Sequence, residues 1–316
     1  MKTFLEDLKT ELVKMQVSED KIQDILSDME EMISSAKEEG ISDEDLMAKL
    51  GDPKRLAREL AEIEPKVEKP HEETNQDGVY AFDPDGETLS IRTKLTSDDV
   101  IYQSVDSNML RVIVKDQKKD HKYSVTYENQ TLTIDEGKMR SFFFGFSFGH
   151  GSSSIIVEIP KSLTIESFKH NIVNGDVAIQ SLAVSSLNIN TTEGDIDMSS
   201  LIIQDGVIHT VNGDVKVFKS VAKMLRLDSV SGDVEIQNTE VEHDLTINTV
   251  SGDFEAKESS AENLYFHTVS GDGNGVEFYI KRLSFSSISG DFSLKNTRKE
   301  PIEILKKKSL SGDINL

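Results

Sequence analysis

Cysteine is absent from the 316 residues. That excludes a disulfide framework, thiolate zinc sites and a cysteine nucleophile, and it leaves the redox compartment open. No stretch approaches the ~20 apolar residues of a membrane helix. The N-terminus, MKTFLEDLKTELVK, interrupts every apolar stretch with charge, so it does not read as a secretory signal. Positive charge is scarce: 35 Lys and Arg stand against 57 Asp and Glu, a formal net charge of −22. Phosphate contacts need clustered Lys and Arg, so nucleic acid is not an expected partner. An anionic membrane surface repels such a chain on average. Basic partners or cations fit better. The expected location is the cytoplasm, or the periphery of a membrane through a protein partner.

Residues 1–63 carry helical periodicity. Leu5, Leu8 and Leu12 mark one stripe, and Ile22, Ile25, Leu26, Met29 and Ile33 a second; Leu46 and Leu50 begin a third, and Leu56 and Leu60 a fourth. Ser18 and Ser42 read as N-caps and Gly40 as a helix stop. In Gly51-Asp52-Pro53, Asp52 is placed as an N-cap and Pro53 at the first helical position. A small all-α bundle is predicted. Residues 64–78, with their Pro and charge and no apolar period, read as a linker.

From 79 to 160 the apolar residues alternate as in strands: Leu89/Ile91/Thr93, Leu110/Val112/Val114, Tyr123/Val125/Tyr127, Leu132/Ile134 and Ile155/Val157/Ile159. This predicts a β-layer capping a repeat array. Within it, Arg140–Gly151 holds five of the fourteen phenylalanines among Gly and Ser. The pattern fits a hairpin with alternate Phe residues in the core, or an aromatic tip for a partner.

Residues 161–316 are dominated by a repeat. Gly-Asp pairs begin at Gly175, Gly194, Gly213, Gly232, Gly252, Gly271, Gly290 and Gly312, in steps of about 19 residues. Apolar residues recur two before the Gly (Val173 to Leu310, with Thr192 the exception), two after it (Val177 to Ile314, with Gly273 the exception), four after it (Ile179 to Leu316, with Gly275 the exception) and seven before it (Phe168 to Leu305, with Gly206 the exception). Residues two apart line one face of a strand. The reading is a single-stranded β-solenoid of eight coils, right-handed and parallel-β-helix-like, with all four of these rows facing inward. Ser or Thr stands three before the Gly in seven coils. Gly allows the turn, and Ser, Thr and Asp side chains bond its backbone. The stacked aspartates need hydrogen-bond donors, or else a bridging calcium.

Two resemblances follow from these motifs. FLEDLKTEL, the acidic second helix ending in Gly40, and LGDPKRLARELAE resemble the HAAS domain of bacterial membrane-associated signalling proteins. The V-S-G-D-V-x-I repeats resemble the putative-adhesin β-strand-repeat family, whose relatives include LiaG-like and LiaX-like proteins linked to Gram-positive envelope stress. These resemblances imply an accessory binding protein.

Parallel β-helices also include glycan lyases, but a lyase needs a local cluster of base and cation. The arginines Arg226, Arg282 and Arg298 are scattered. Four before each Gly stand Asn171, Asn190, His209, Asp228, Asn248, His267, Ser286 and Lys308, an outward polar ladder suited to a solvated face or to a glycan or peptide. No catalytic, cofactor or metal residues are assigned. The expected function is non-enzymatic binding and scaffolding in envelope-stress signalling. A surface adhesin or glycan-binding module is the first alternative and a glycan-processing enzyme the second. The last coil reads as uncapped, which leads to an expectation of self-association there.

Overall fold

A computed structural model describes residues 2–15, 22–23, 25–26, 29, 33, 42, 50, 52–61, 78–115, 123–136 and 154–316. The sequence-predicted signals at Ser18 and Gly40, nearly all of the 64–78 linker and the Phe-rich stretch lie outside these residues. The chain divides into two units, one with the N-terminal helices and one with the strands.

In the helical unit, α1 (Lys2–Lys14) and α2 (Pro53–Ala61) are described. Asp52 caps α2 as its sequence predicts: its Oδ1 accepts the Lys54 N–H at 3.0 Å, and its carbonyl accepts that of Leu56 at 3.0 Å. Phe4, Leu8 and Leu12 of α1 form one buried cluster with Ile22, Ile25, Met29, Leu50, Leu56 and Ala57. The i, i+4, i+8 spacing in α1 places those three on one face.

The strand unit is the predicted solenoid. Its strands are β1 (Val79–Phe82), β2 (Thr88–Leu95), β3 (Asp99–Val105), β4 (Leu110–Lys115), β5 (Tyr123–Glu128), β6 (Thr131–Glu136), β7 (Ser154–Pro160), β8 (Thr164–Ile172), β9 (Val177–Gln180), β10 (Ala183–Asn190), β11 (Ile196–Ser199), β12 (Ile202–His209), β13 (Val215–Phe218), β14 (Val221–Asp228), β15 (Val234–Gln237), β16 (Glu240–Asn248), β17 (Phe254–His267), β18 (Gly273–Ser286), β19 (Phe292–Lys295), β20 (Glu303–Lys308) and β21 (Ile314–Asn315). Each coil has a long leg before its Gly-Asp corner and a short leg after it. The long legs stack in the order β5-β6-β2-β8-β10-β12-β14-β16-β17-β18-β20. The short legs stack as β1-β4-β7-β3-β9-β11-β13-β15-β17-β18-β19-β21. All pairs from β6 and β7 onward are parallel. Among the described residues only β5–β6, β4–β7 and β1–β4 are antiparallel. The β5–β6 hairpin turns through Asn129 and Gln130, both at positive φ (48° and 59°), the two-residue geometry that matches strand twist.

The segment before residue 161 therefore contains a coil of its own. β2 and β3 pair in parallel with β8 and β9, and on their other side with β6 and β7. The corner between them, Thr96-Ser97-Asp98-Asp99, lacks a glycine. That is why the Gly-Asp count does not find it.

The interior has more rows than the sequence reading gives, among them the one ten before the Gly (Ile165, Val184, Ile203, Ala222, Ala261 and Ile280, with Val241 eleven before), and one fewer of the rows it names. Five before the Gly in the first seven coils, His170, Ile189, Ile208, Leu227, Ile247, Phe266 and Phe285 are buried, whereas Lys307 of the last coil is exposed. The row two before the Gly is a correction: Val173, Val211, Val230, Val250, Val269, Ile288 and Leu310 are exposed. Positions seven, five and three before the Gly alternate inward, so position two lies past the end of the long leg and turns out. Leu305 and Leu316 of the last coil are also exposed.

The glycines have a reason beyond turn conformation. A Cβ on Gly194, Gly213, Gly232 or Gly252 would lie 2.2, 2.1, 1.8 or 2.0 Å from the carbonyl oxygen of the preceding corner's glycine. Only Gly175, Gly194 and Gly213 among the eight have positive φ. Close stacking on a preceding corner therefore demands glycine in all eight Gly-Asp coils, whereas φ demands it in three. A second corner, six residues after the Gly in the first six coils, holds Ser181, Ser200, Lys219, Asn238, Glu258 and Glu277 in the left-handed region.

Candidate binding face of the long-leg sheet

The repeat acids come first, because they are the most conspicuous chemistry in the sequence. Each Asp side chain accepts the backbone N–H of the Asp in the next coil. The chain of bonds runs from Asp99 through Asp176, Asp195, Asp214, Asp233, Asp253, Asp272 and Asp291 to the amide of Asp313, at 2.7–3.0 Å. Backbone donors thus offset the like-charge cost of the column. The Ser/Thr position three before the Gly divides. Ser229, Thr249, Thr268, Ser287 and Ser309 accept the Gly N–H at 2.6–3.0 Å. Gly175 and Gly194 instead donate to carbonyls of the next coil, Glu193 and Asn212. Among the described residues no group of three or more His, Asp or Glu is placed to hold a metal.

The outward side of the long legs holds the predicted polar ladder. Asn190 Nδ2 donates to Asn171 Oδ1 at 3.0 Å and to Asn188 Oδ1 at 2.7 Å. Asp228 gathers three neighbours: His209 Nδ1 at 2.9 Å, Arg226 Nε at 2.9 Å and Asn248 Nδ2 at 2.6 Å. His209 and His267 stand on β12 and β17, three strands apart in the stack. Burial and the Lys306 charge hold His267 below the usual imidazole range.

At its N-terminal end this face deepens into a groove of about 310 Å³ lined by Arg92, Thr93, Lys94, Thr133, Ile134, Asp135, Lys169 and Asn171. Strand register sets its charge. Arg92 lies directly across from Lys169, Lys94 from Asn171, and on the other side Arg92 from Thr133 and Lys94 from Asp135. Arg92 and Lys169, a like-charge pair directly opposed, cost a few tenths of a kcal/mol unless an anion sits between them, whereas Lys94 faces Asp135. Sequence reading finds Asn171 but not Arg92 or Lys94, because β2 joins this sheet through the corner that has no glycine.

Directly beneath the groove lies a buried polar cluster. His170 Nδ1 is 2.6 Å from Thr93 Oγ1 and 2.9 Å from Tyr102 Oη, and the Tyr102 hydroxyl donates to Thr93 at 3.0 Å. The His170 Nε2 has no partner among the described residues. Full burial pushes the imidazole down to about 3 and the Tyr102 phenol well above its ordinary value. His170 occupies the row that is Ile, Leu or Phe in the six coils that follow, and it is a fully buried, neutral core residue.

The fold and this face define a β-solenoid that displays side chains on a rigid frame. The family model for Toastrack DUF4097 matches residues 87–273 and 239–316, and the chain belongs to that family. The HAAS model matches residues 3–59. No curated protein matches the chain. Among solved structures, a "putative lipid binding protein" from Parabacteroides distasonis is similar at 16% identity and a TM-score of 0.50, over 76% of this chain and 97% of that one. A "putative adhesin" from Bacteroides fragilis is similar at 19% identity and a TM-score of 0.41, over 75% and 96%. At these identities the likeness is one of fold. No described helix is long and apolar enough to cross a membrane.

Proposed function

We propose that the chain is a non-enzymatic binding and scaffold protein of the Gram-positive envelope-stress response, of LiaG/LiaX-like type, working in the cytoplasm or at the membrane periphery. The HAAS-like helices dock one partner, a membrane-associated signalling protein. The long-leg face presents a second surface, with the cationic groove taking an acidic group of the bound molecule. The observation that carries this reading is the division of labour among the acids. The repeated aspartates are engaged by backbone amides, while the outward face holds ordered amide, imidazole and guanidinium groups beside three clustered cations. The Asn171–Asn188–Asn190 array also suits hydroxyl-rich ligands, which favours a glycan-binding adhesin as the second reading.

Site-specific photo-crosslinkers at Lys94 and Asn190, with Lys216 on the short-leg sheet as control, test both readings in the native host. Crosslinks to a membrane signalling protein are expected, those from Asn190 being lost on changing Arg92, Lys94 and Lys169 to Glu. Crosslinks to wall polymer would replace the scaffold reading with the adhesin. Yields no higher than at Lys216 would contradict both.

A further inference from the structure

A different surface runs the length of the solenoid along its Gly-Asp corners. Two before each Gly, Val173, Val211, Val230, Val250, Val269 and Ile288 are 41–53% exposed and Leu310 is 85% exposed. Thr192 is the one departure from this apolar column. Beside it runs a small polar column, mainly Ser and Asn, with Glu193 the only charge in it. Beyond that stand the eight aspartates. From two before to one after the Gly, the eight corners contain nine acids (the aspartates and Glu193) and no Lys or Arg. Each aspartate spends one carboxylate oxygen on the next amide where a further coil follows, which leaves acceptor capacity on the other oxygen.

We propose that this corner edge is the docking surface for a cationic amphipathic α-helix of about four turns. The spacing supports a helix lying along the column. Coils repeat every ~4.8 Å, and a helix advances ~5.4 Å per turn. The mismatch of about 0.6 Å per turn accumulates to half a coil after about four turns. Apolar residues at i, i+4, i+7 and i+11 of such a helix lie over successive valines. Lys and Arg on its flank reach the aspartate column. A strip that carries only negative charge selects a cationic flank and rejects an anionic one. The same charge disfavours a second copy of this chain, which bears a net charge of −22. A one-residue-wide aliphatic column also falls short of the ~800 Å² per partner that a stable dimer buries. The surface is separate from the long-leg groove and does not depend on the function proposed for it.

The test uses the full chain and a fluorescein-labelled 16-residue peptide of Leu and Lys with helical amphipathic spacing, followed by fluorescence anisotropy. Two control peptides are a Leu/Glu version and a Leu/Lys version whose order destroys the apolar face. The first variant changes Val230→Thr, Val250→Thr and Val269→Thr together, which keeps β-branching and size. The second changes Asp233→Asn, Asp253→Asn and Asp272→Asn, which keeps the Oδ1 acceptor of the ladder. Thermal unfolding is recorded for each.

The amphipathic Leu/Lys peptide is expected to bind, with neither control peptide binding. The Val→Thr variant is expected to weaken binding at least tenfold with unfolding unchanged, and the Asp→Asn variant to weaken it and remove its salt dependence. No binding of the amphipathic peptide would overturn the proposal. Equal binding of the scrambled peptide, or full binding by a folded Val→Thr variant, would do the same by exposing a general attraction to an acidic protein. If the Asp→Asn variant does not fold, the Val→Thr variant alone decides.

Discussion

The two halves of the solenoid carry one repeat and build it by different means. At Gly175, Gly194 and Gly213 the residue before the Gly is Asn, Glu and Asn, and φ is +141°, +118° and +141°. From Gly232 onward that residue is Ser, φ is no longer positive, and the Gly N–H turns to the Ser or Thr hydroxyl three residues back. The cores differ too. The N-terminal coils bury mainly aliphatic side chains, with Phe168 against Tyr102, around the His170–Thr93–Tyr102 cluster. The C-terminal coils bury a phenylalanine network in which Phe266 contacts Phe254, Phe285 and Phe292 at 5.6–6.2 Å between ring centroids. The second corner changes from Leu182 and Leu201 to the buried hydroxyls Ser220, Thr239 and Ser259, which bond backbone from coil to coil. Two features do not change: the glycine carbonyl stacking and the Asp ladder. These are what the repeat signature encodes.

The strongest way to break the comparison is to attack what both halves share. Gly194→Ala and Gly252→Ala should each cost about 3 kcal/mol or more in chemical denaturation, although only Gly194 has positive φ, because the added Cβ meets backbone in both. A small loss at Gly252 would mean that φ and not stacking selects glycine.

The buried histidine sharpens the difference between the halves. Its pKa is about 6.5 unfolded and about 3 folded. Above pH 6.5 both states are neutral and the group contributes nothing to pH dependence. Below it the unfolded chain binds a proton that the folded chain does not, so stability falls by about 1.4 kcal/mol per pH unit until about pH 3. Between pH 6.5 and 4.5, wild type should therefore lose about 2 kcal/mol more than His170→Ile, measured by denaturant titration at both values. Parallel pH curves would show that His170 is solvated.

Next in size come the core glycines. Gly273 stands where most coils have an inward Val, Ile or Phe, and a Cβ there would meet Phe292 at 2.5 Å and Phe266 at 2.7 Å. Gly206 stands where other coils have Leu or Phe, and the close contacts of a Cβ there are side-chain methyls, of Leu225 at 2.9 Å and Ile203 at 3.2 Å. Gly273→Ala should cost about 1–3 kcal/mol, and Gly206→Ala less than about 1 kcal/mol, by thermal unfolding. Equal costs would show the aromatic half to be no more tightly packed than the aliphatic half.

The smallest expected effect separates the two corner types. Thr249 Oγ1 accepts the Gly252 N–H at 2.9 Å, whereas Thr210 Oγ1 is buried without a partner among the described residues. Thr249→Val should cost about 1–2 kcal/mol, and Thr210→Val should be neutral or slightly stabilising. The reverse order would show the hydroxyl at the later corners to be idle.

Much of this was legible in the sequence, for a stated reason. Glycine and aspartate recur because every coil stacks against an identical one, so period alone located eight corners. The α2 cap was readable because Asp52-Pro53 has few other uses. Parity was not readable past the strand end, and so Val230 and its column were assigned inward when they face out. The coil of β2 and β3 was hidden because its corner holds Asp98, a side chain that no count of glycines detects. With that coil went Arg92 and Lys94, and hence the groove. His170 was invisible as a core residue because the row five before the Gly was not read.

The central claim is that the Gly-Asp signature is architecture: each carboxylate holds the amide of the next coil. Amide hydrogen exchange at Asp233, in wild type and in Asp214→Ala, tests it most directly. The Asp233 amide should be protected in wild type in the presence of a chelator, despite its exposed corner. It should lose that protection in Asp214→Ala, while the amide of Asp272, two coils further on, keeps its own. A wild-type amide that exchanges freely, or whose protection appears only when calcium is added, would contradict the account.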